Sequence, residues 1–182
     1  MEMATATAIF GGGCFWCTEA VFDALEGVNL VEPGYCGGHV EHPTYEQICG
    51  ANTGHIEVVR IGYDPAVISF EVLLEIFFAT HDPTTPNQQG NDVGPQYQSA
   101  VFYQDDQQKV ATEVFVAKLE ASGVLPRPIC TQILPSQTFW VAESYHHDYF
   151  ANHPQQGYCQ FVVAPKIIKL VKSYGDKLKQ PS

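Results

Sequence analysis

A layered sandwich of strands and helices, α/β or α+β, is the architecture this sequence predicts. Three observations carry it. Strand-like and helix-like segments interleave along the chain, "HIEVVRIGY" alternates with the period of a pleated strand, and "SFEVLLEIFFAT" is apolar enough for a buried helix. With 182 residues, 45% of them hydrophobic, the chain suffices for one domain with its own core.

Residues 4–10 read as a strand that runs into three glycines. Residues 14–26 read as an amphipathic helix with Phe15, Val21, Phe22 and Leu25 towards one side, stopped near Gly27. A strand over residues 28–35 precedes the turn-rich "GYCGGHVEHPTY", and the alternating strand of residues 55–63 ends at Asp64-Pro65. The helix of residues 69–80 takes Ser69 as its N-cap. The polar, Pro- and Gly-containing "HDPTTPNQQGNDVGPQ" reads as a long loop, of the kind that often carries function. A strand over residues 98–104 leads to a helix over residues 105–122, with Val110, Val114 and Ala117 on one face and Gly123 at its end. "PICTQILP" is a short strand. The last helix, near residues 165–178, turns Ile167, Leu170, Val171 and Tyr174 inward and Lys166, Lys169 and Lys172 to solvent.

Charge and cysteine usage narrow the function. A formal charge of −11 argues against nucleic acid, which demands basic patches. Neither a secretory leader nor an apolar run of membrane-spanning length is evident, so a soluble cytoplasmic protein without membrane attachment is the expectation. Six cysteines are too few for a disulfide scaffold and read as catalytic, metal-binding or buried thiols. Arg60 is the only Lys or Arg before Lys109, so no basic neighbour in sequence activates a thiol near residue 14.

The stretch "IFGGGCFWCTEAVF" is the most suggestive. If Gly13 ends a strand and Cys14 opens a helix, unpaired backbone N–H groups converge on the sulfur and favour its thiolate. The glycines allow close approach, and Phe15 and Trp16 supply an apolar wall. A phosphate loop fits poorly, for want of a third spaced glycine or a Lys-Ser/Thr ending. Zinc also fits poorly, because Cys14 and Cys17 make one close pair and Cys36 and Cys49 lie too far apart to be the second. His146 and Asn152, about 130–140 residues downstream, mimic the order of a papain-like protease, but "GCFWC" is not that family's signature.

Other residues add to the site. Alternation puts Glu57 on one face with Val59, Ile61 and Tyr63, where desolvation raises a carboxyl's pKa and makes it a proton donor near neutrality. Tyr45 and Tyr97 lie in loops where phenols can bind a ligand oxygen. Cys159 follows "NHPQQGY" in a segment with little regular structure, free to move and to attack an oxidised thiol. Cys17, one helical turn from Cys14, is an alternative partner, though a 14–17 disulfide would distort that turn. Cys36, Cys49 and Cys130 read as small packed residues.

Taken together, "GGGCFW", "GGHVEHPTYEQICGANTGHIEVV", "EIFFATHDPTTPNQQGNDVGPQYQSAVFY", "AESYHHDYF" and "NHPQQGYCQ" resemble the A-type peptide methionine sulfoxide reductases over nearly the whole chain. The resemblance implies a two-layer α+β sandwich with a ferredoxin-like core, a mixed sheet and an extended irregular C-terminal segment. It implies one catalytic domain over residues 1–182, with a core of about residues 4–150 and the resolving cysteine within residues 151–182. The implied activity is reduction of methionine-S-sulfoxide, free or in oxidised proteins, without metal or organic cofactor, by a monomer that thioredoxin recycles. Carried over by motif, Cys14 is the nucleophile, Phe15 and Trp16 hold the S-methyl group, and Glu57 protonates the sulfoxide oxygen. Tyr45, Tyr97 and Asp92 complete the polar side, and Cys159 resolves the Cys14 sulfenic acid as a disulfide. Pro95 and Gln98 stand where the family commonly has Thr and Arg, and no further cysteine follows Cys159. From the residues alone, a general CxxC thiol–disulfide oxidoreductase and a non-catalytic redox-sensing module remain as alternatives.

Overall fold

The structure is a computed structural model that describes residues 5–180. Residue 4, the expected start of the first strand, and the last two residues of the C-terminal segment lie outside the described residues. The chain folds as a mixed sheet with helices, an α+β architecture. The six-stranded sheet contains β1 (Ala6–Gly12), β2 (Val28–Cys36), β3 (Ile56–Tyr63), β6 (Ser99–Tyr103), β7 (Gln132–Pro135) and β8 (Trp140–Val141). Their spatial order is β7-β6-β1-β3-β2-β8, with β6 and β7 parallel and the other neighbours antiparallel. Two further strands, β4 (Gln88–Gln89) and β5 (Asp92–Val93), form a small separate hairpin.

Pleat alternation divides the core between the two faces of this sheet. Phe10, Val59, Ile61 and Tyr63 pack on the helical side against α1 (Phe15–Asp23) and α3 (Phe70–Thr80). Ile9, Ile56, Val58 and Phe102 form a smaller cluster on the opposite face with Leu134 and Phe139. Glu57 shares the helical face and is 1% exposed. The alternation of "HIEVVRIGY" therefore oriented it correctly.

Local chemistry fixes the helix starts. The Ser69 hydroxyl accepts from the Val72 amide and caps α3, as the sequence predicts. Asp105 caps α4 (Asp106–Ala121) in the same way. Helix α2 (Tyr45–Cys49) begins at the last residue of the turn-rich stretch, in a segment to which the sequence assigned no element, and a reciprocal pair of hydrogen bonds between Thr44 and Gln47 starts it. The first helix spans three fewer residues at its end than expected, with Leu25 instead bridging to Leu178.

Three orientations differ from the sequence reading. On α4, Val110, Val114 and Ala117 are exposed, while Ala111, Phe115 and Leu119 approach the core beside buried Thr112. On α6 (Ala164–Tyr174), which follows the short α5 (Tyr149–Asn152), Ile167, Leu170 and Tyr174 pack inward but Val171 is exposed. Lys166 is partly buried rather than free in solvent, and Lys169 donates to the Ala79 carbonyl. Among the described residues, no helix is long and apolar enough to cross a membrane.

Candidate active site

Two chain crossings build the site. β1 delivers Gly13 and Cys14 to the start of α1, and neighbouring β3 brings Glu57 beneath that start. Gly13 has φ +96°, which glycine adopts without strain, and a Cβ there would lie 2.6 Å from the Gln89 side chain. Cys14 is the N-cap of α1, with φ −59° and ψ 125°, so its side chain stands outside the helical turn.

The helix start serves two residues. The Phe15 amide donates to Oε1 of Glu57 at 3.2 Å, while Oε2 is buried without a partner among the described residues. Burial pushes the Glu57 carboxyl up to about 8, Asp92 adds to the rise, and the Phe15 amide only partly opposes it. The carboxyl is therefore protonated at neutral pH. The Trp16 amide points at the Cys14 sulfur, as a helix N-terminus should, yet the thiol is not acidified. Burial first, then the Glu57 and Cys17 sites, push the half-buried Cys14 thiol well above its ordinary value. The expected thiolate is thus absent at rest: desolvation outweighs the amide.

The two phenols lie in short helical turns rather than loops, within electrostatic reach of Glu57 and of each other. Tyr97 ends a 3-10 turn of residues 95–97, where Pro95 takes the first position and its missing N–H costs no helical bond. Burial raises the Tyr97 phenol, with Glu57, Asp92 and Cys14 close enough to add to the effect. Tyr45 opens α2 and is raised by burial and then by Glu57 and Cys49, with Tyr97 also within electrostatic reach. Asp92 reaches the site from the β4–β5 hairpin, whose turn uses left-handed Gly90 and whose first strand follows left-handed Asn87. Gln98 instead hydrogen-bonds Gln132 on β7.

Trp16 is held on three sides. Its indole N–H donates to Nδ1 of His146 at 3.0 Å, its ring stacks on Tyr149 at 3.7 Å, and Tyr158 meets it edge-on. Phe15 is fully buried against Tyr35 and His146, so it forms a floor rather than an open wall.

The sequence reading missed this supporting shell. Glu143 accepts from the Tyr35 hydroxyl and the Tyr45 amide, both at 3.0 Å, and so anchors α2. His146, assigned no role in the reductase reading, is fully buried. Tyr158 donates to Asp92 at 2.6 Å and contacts the Cys14 and Cys17 sulfurs. The aromatic density of "AESYHHDYF" and "GYC" was the available signal.

Cysteine placement brings further corrections. Cys159 is fully buried at the start of a π-helical turn (Cys159–Val163) that continues into α6, not in a loose segment. It packs with Cys17 and Val163. Cys49 is exposed rather than packed, Cys130 is half-exposed, and Cys36 is buried as expected. Among the described residues, no group of three or more His, Cys, Asp or Glu side chains is placed to hold a metal.

A cysteine within electrostatic reach of a buried carboxyl and a phenol, on a mixed-sheet α+β frame, is an arrangement suited to thiol chemistry, and the comparisons give the class as an oxidoreductase. The model of the family described as "Peptide methionine sulfoxide reductase" matches residues 6–178. A curated relative from Ralstonia nicotianae, "Peptide methionine sulfoxide reductase MsrA", is 51% identical, with 98% of this chain and 95% of the relative covered. The crystal structure of Mxr1 from Saccharomyces cerevisiae in reduced form superposes with a TM-score of 0.75 at 32% identity, covering 85% of this chain and 89% of that one. Mxr1 in complex with Trx2 matches in fold at 22% identity and a TM-score of 0.52, covering 82% and 89% of the two chains. The chain belongs to the peptide methionine sulfoxide reductase family.

Proposed function

We propose that the chain reduces methionine-S-sulfoxide, free or in polypeptides, with Cys14 accepting the oxygen. The observation that carries this reading is Glu57, a buried carboxyl that stays protonated near neutrality beside the Cys14 thiol. A sulfoxide oxygen leaves poorly until it is protonated, so a neutral acid supplies what the reaction lacks. Oε2 is the oxygen free to carry that proton.

The proton count closes within the site. Glu57 gives its proton to the sulfoxide oxygen and takes the one lost by the Cys14 thiol. The resulting sulfur anion attacks the substrate sulfur and forms an S–S bond as the protonated oxygen leaves. That hydroxyl then adds to the Cys14 sulfur, the S–S bond breaks with its electron pair on the departing methionine, and Cys14 remains as a sulfenic acid. Ionising Cys14 beside an already ionised Glu57 is disfavoured, so the two proton movements are linked. Tyr45 and Tyr97 donate to the oxygen where charge develops, with Asp92 orienting the polar side. Trp16 takes the methyl group over the Phe15 floor.

A second thiol then condenses with the sulfenic acid, releasing water and forming a disulfide. Cys159 is carried over as the resolving cysteine on its motif. Thioredoxin is the reductant in this reading, supported by the Mxr1–Trx2 complex. The cytoplasm is the compartment in this reading, because six cysteines are too few for a disulfide scaffold. The test is turnover of the separate S and R epimers with dithiothreitol. Reduction confined to the S epimer is expected, and equal reduction of both, or none, contradicts the reading.

A further inference from the structure

The two sulfurs expected to form the resolving disulfide sit in different environments. Cys14 lines a hollow of ≈ 500 Å³ with Cys17, Asp92, Tyr158, Phe161 and Lys166, and Cys159 is not on its wall. Cys159 belongs instead to a closed cluster with Cys17 and Val163, which does not include Cys14. Cys17 is the one sulfur common to both. Its amide donates to the Cys14 carbonyl at 3.1 Å, which sets the two residues one turn apart at the helix start. Because Cys14 has a non-helical backbone, its thiol can turn towards Cys17 without unwinding α1. That removes the main objection to a 14–17 disulfide.

We propose that Cys17 is a sulfur relay between Cys14 and Cys159. The proposal rests on the sulfoxide-reductase reading and adds a step to it. Cys17 attacks the Cys14 sulfenic acid, forming the 14–17 S–S bond and breaking the S–O bond; the hydroxyl leaves with the Cys17 proton as water. The Cys159 thiol then attacks Cys17, its proton passing to the departing Cys14 sulfur. The 17–159 bond forms, the 14–17 bond breaks, and Cys14 regains a proton as a free thiol. This exchange leaves the oxidation level unchanged. A protein dithiol finally reduces the 17–159 pair and is itself oxidised to a disulfide.

Neighbouring charge favours this order. Lys166 reaches across from α6 and favours the Cys17 thiolate against the effect of burial, whereas nothing comparable offsets burial at Cys159. Lys166 is thus the cation that the sequence near residue 14 lacks, and it acts on the second cysteine. The Tyr158 hydroxyl lies 3.9 Å from the Cys17 sulfur and also contacts Cys14, so it can steer both thiols through the exchange. Relay also moves the oxidised pair away from Cys14 and into the buried contact between α1 and the 159–163 turn.

The test is a quench series on the full chain with one equivalent of methionine-S-sulfoxide and no reductant. Methionine is quantified, disulfides are mapped by mass spectrometry, and sulfenic acid is trapped with dimedone. In the wild type the 14–17 disulfide forms first and the 17–159 disulfide replaces it. Cys159→Ala stops at 14–17. Cys17→Ala and Cys17→Ser both release one methionine, retain a dimedone-reactive Cys14, and lose thioredoxin-coupled turnover by more than about tenfold. Formation of a 14–159 disulfide in either Cys17 variant, as fast as any disulfide forms in the wild type, overturns the relay while leaving the reductase reading intact. Absence of methionine release from the wild type overturns both.

Discussion

The Phe15 amide donates to Oε1 of Glu57 at 3.2 Å, joining the first residue of α1 to the strand beneath it. This bond ties the proposed acid to the residue that follows the proposed nucleophile, Cys14. One helix-start donor is spent on the carboxyl, and Oε2 is left buried and unpartnered. The site therefore rests with both Cys14 and Glu57 protonated, and its reactivity depends on a ligand that accepts a proton.

The pH dependence of kcat/KM for methionine-S-sulfoxide follows from Glu57. The rate is expected to stay level through neutrality and to fall about tenfold per pH unit above about 8, as the carboxyl loses its proton. Glu57→Gln keeps a hydrogen-bond donor but cannot transfer a proton. It lowers kcat by about 10²–10⁴-fold and removes the alkaline limb. A pH–rate profile of both proteins checks this.

The same group sets a slope in stability. Glu57 is protonated in the folded chain up to about 8 but ionised in the unfolded chain above 4.5. Between those values the folded state holds one more proton, so stability falls as pH rises, by about 1.4 kcal/mol per pH unit at most. Glu57→Gln removes this contribution. Urea unfolding at pH 5 and pH 8 is expected to show a smaller loss in the variant than in the wild type.

The helix-face and strand patterns were legible because burial imposes a period on apolar residues. "HIEVVRIGY" placed Glu57, and the serine before "FEVLLEIFFAT" marked its cap. Residues 105–122 misled because Val110 and Val114 lie on the outer face of α4, and polar Thr112 and Gln108 are buried by bonding locally or to the Thr7 carbonyl. The two-residue strands β4, β5 and β8 have too few residues to show alternation. Thiol acidity at Cys14 was misread for another reason: the amide donor is visible in sequence, but the desolvation that overrides it comes from distant segments. Cys159 looked mobile because "NHPQQGY" carries no periodicity, while its burial depends on contact with α1.

Gly13→Ala tests how the glycines support the site. At φ +96° an alanine is strained, and its Cβ displaces the Gln89 side chain. Gln89 accepts from the Asp82 amide and donates to the Asp82 carbonyl, which holds the hairpin carrying Asp92. The variant is expected to lose about 1–3 kcal/mol in urea unfolding. Its kcat/KM is expected to fall further than that of the exposed-site control Gly123→Ala, which meets no atom within 4 Å.

The most direct test of Cys14 as the oxygen acceptor is the methionine yield of a single turnover without reductant. Wild type mixed with one equivalent of methionine-S-sulfoxide is expected to release one methionine per chain, and Cys14→Ser none. An undiminished yield from Cys14→Ser would contradict the account.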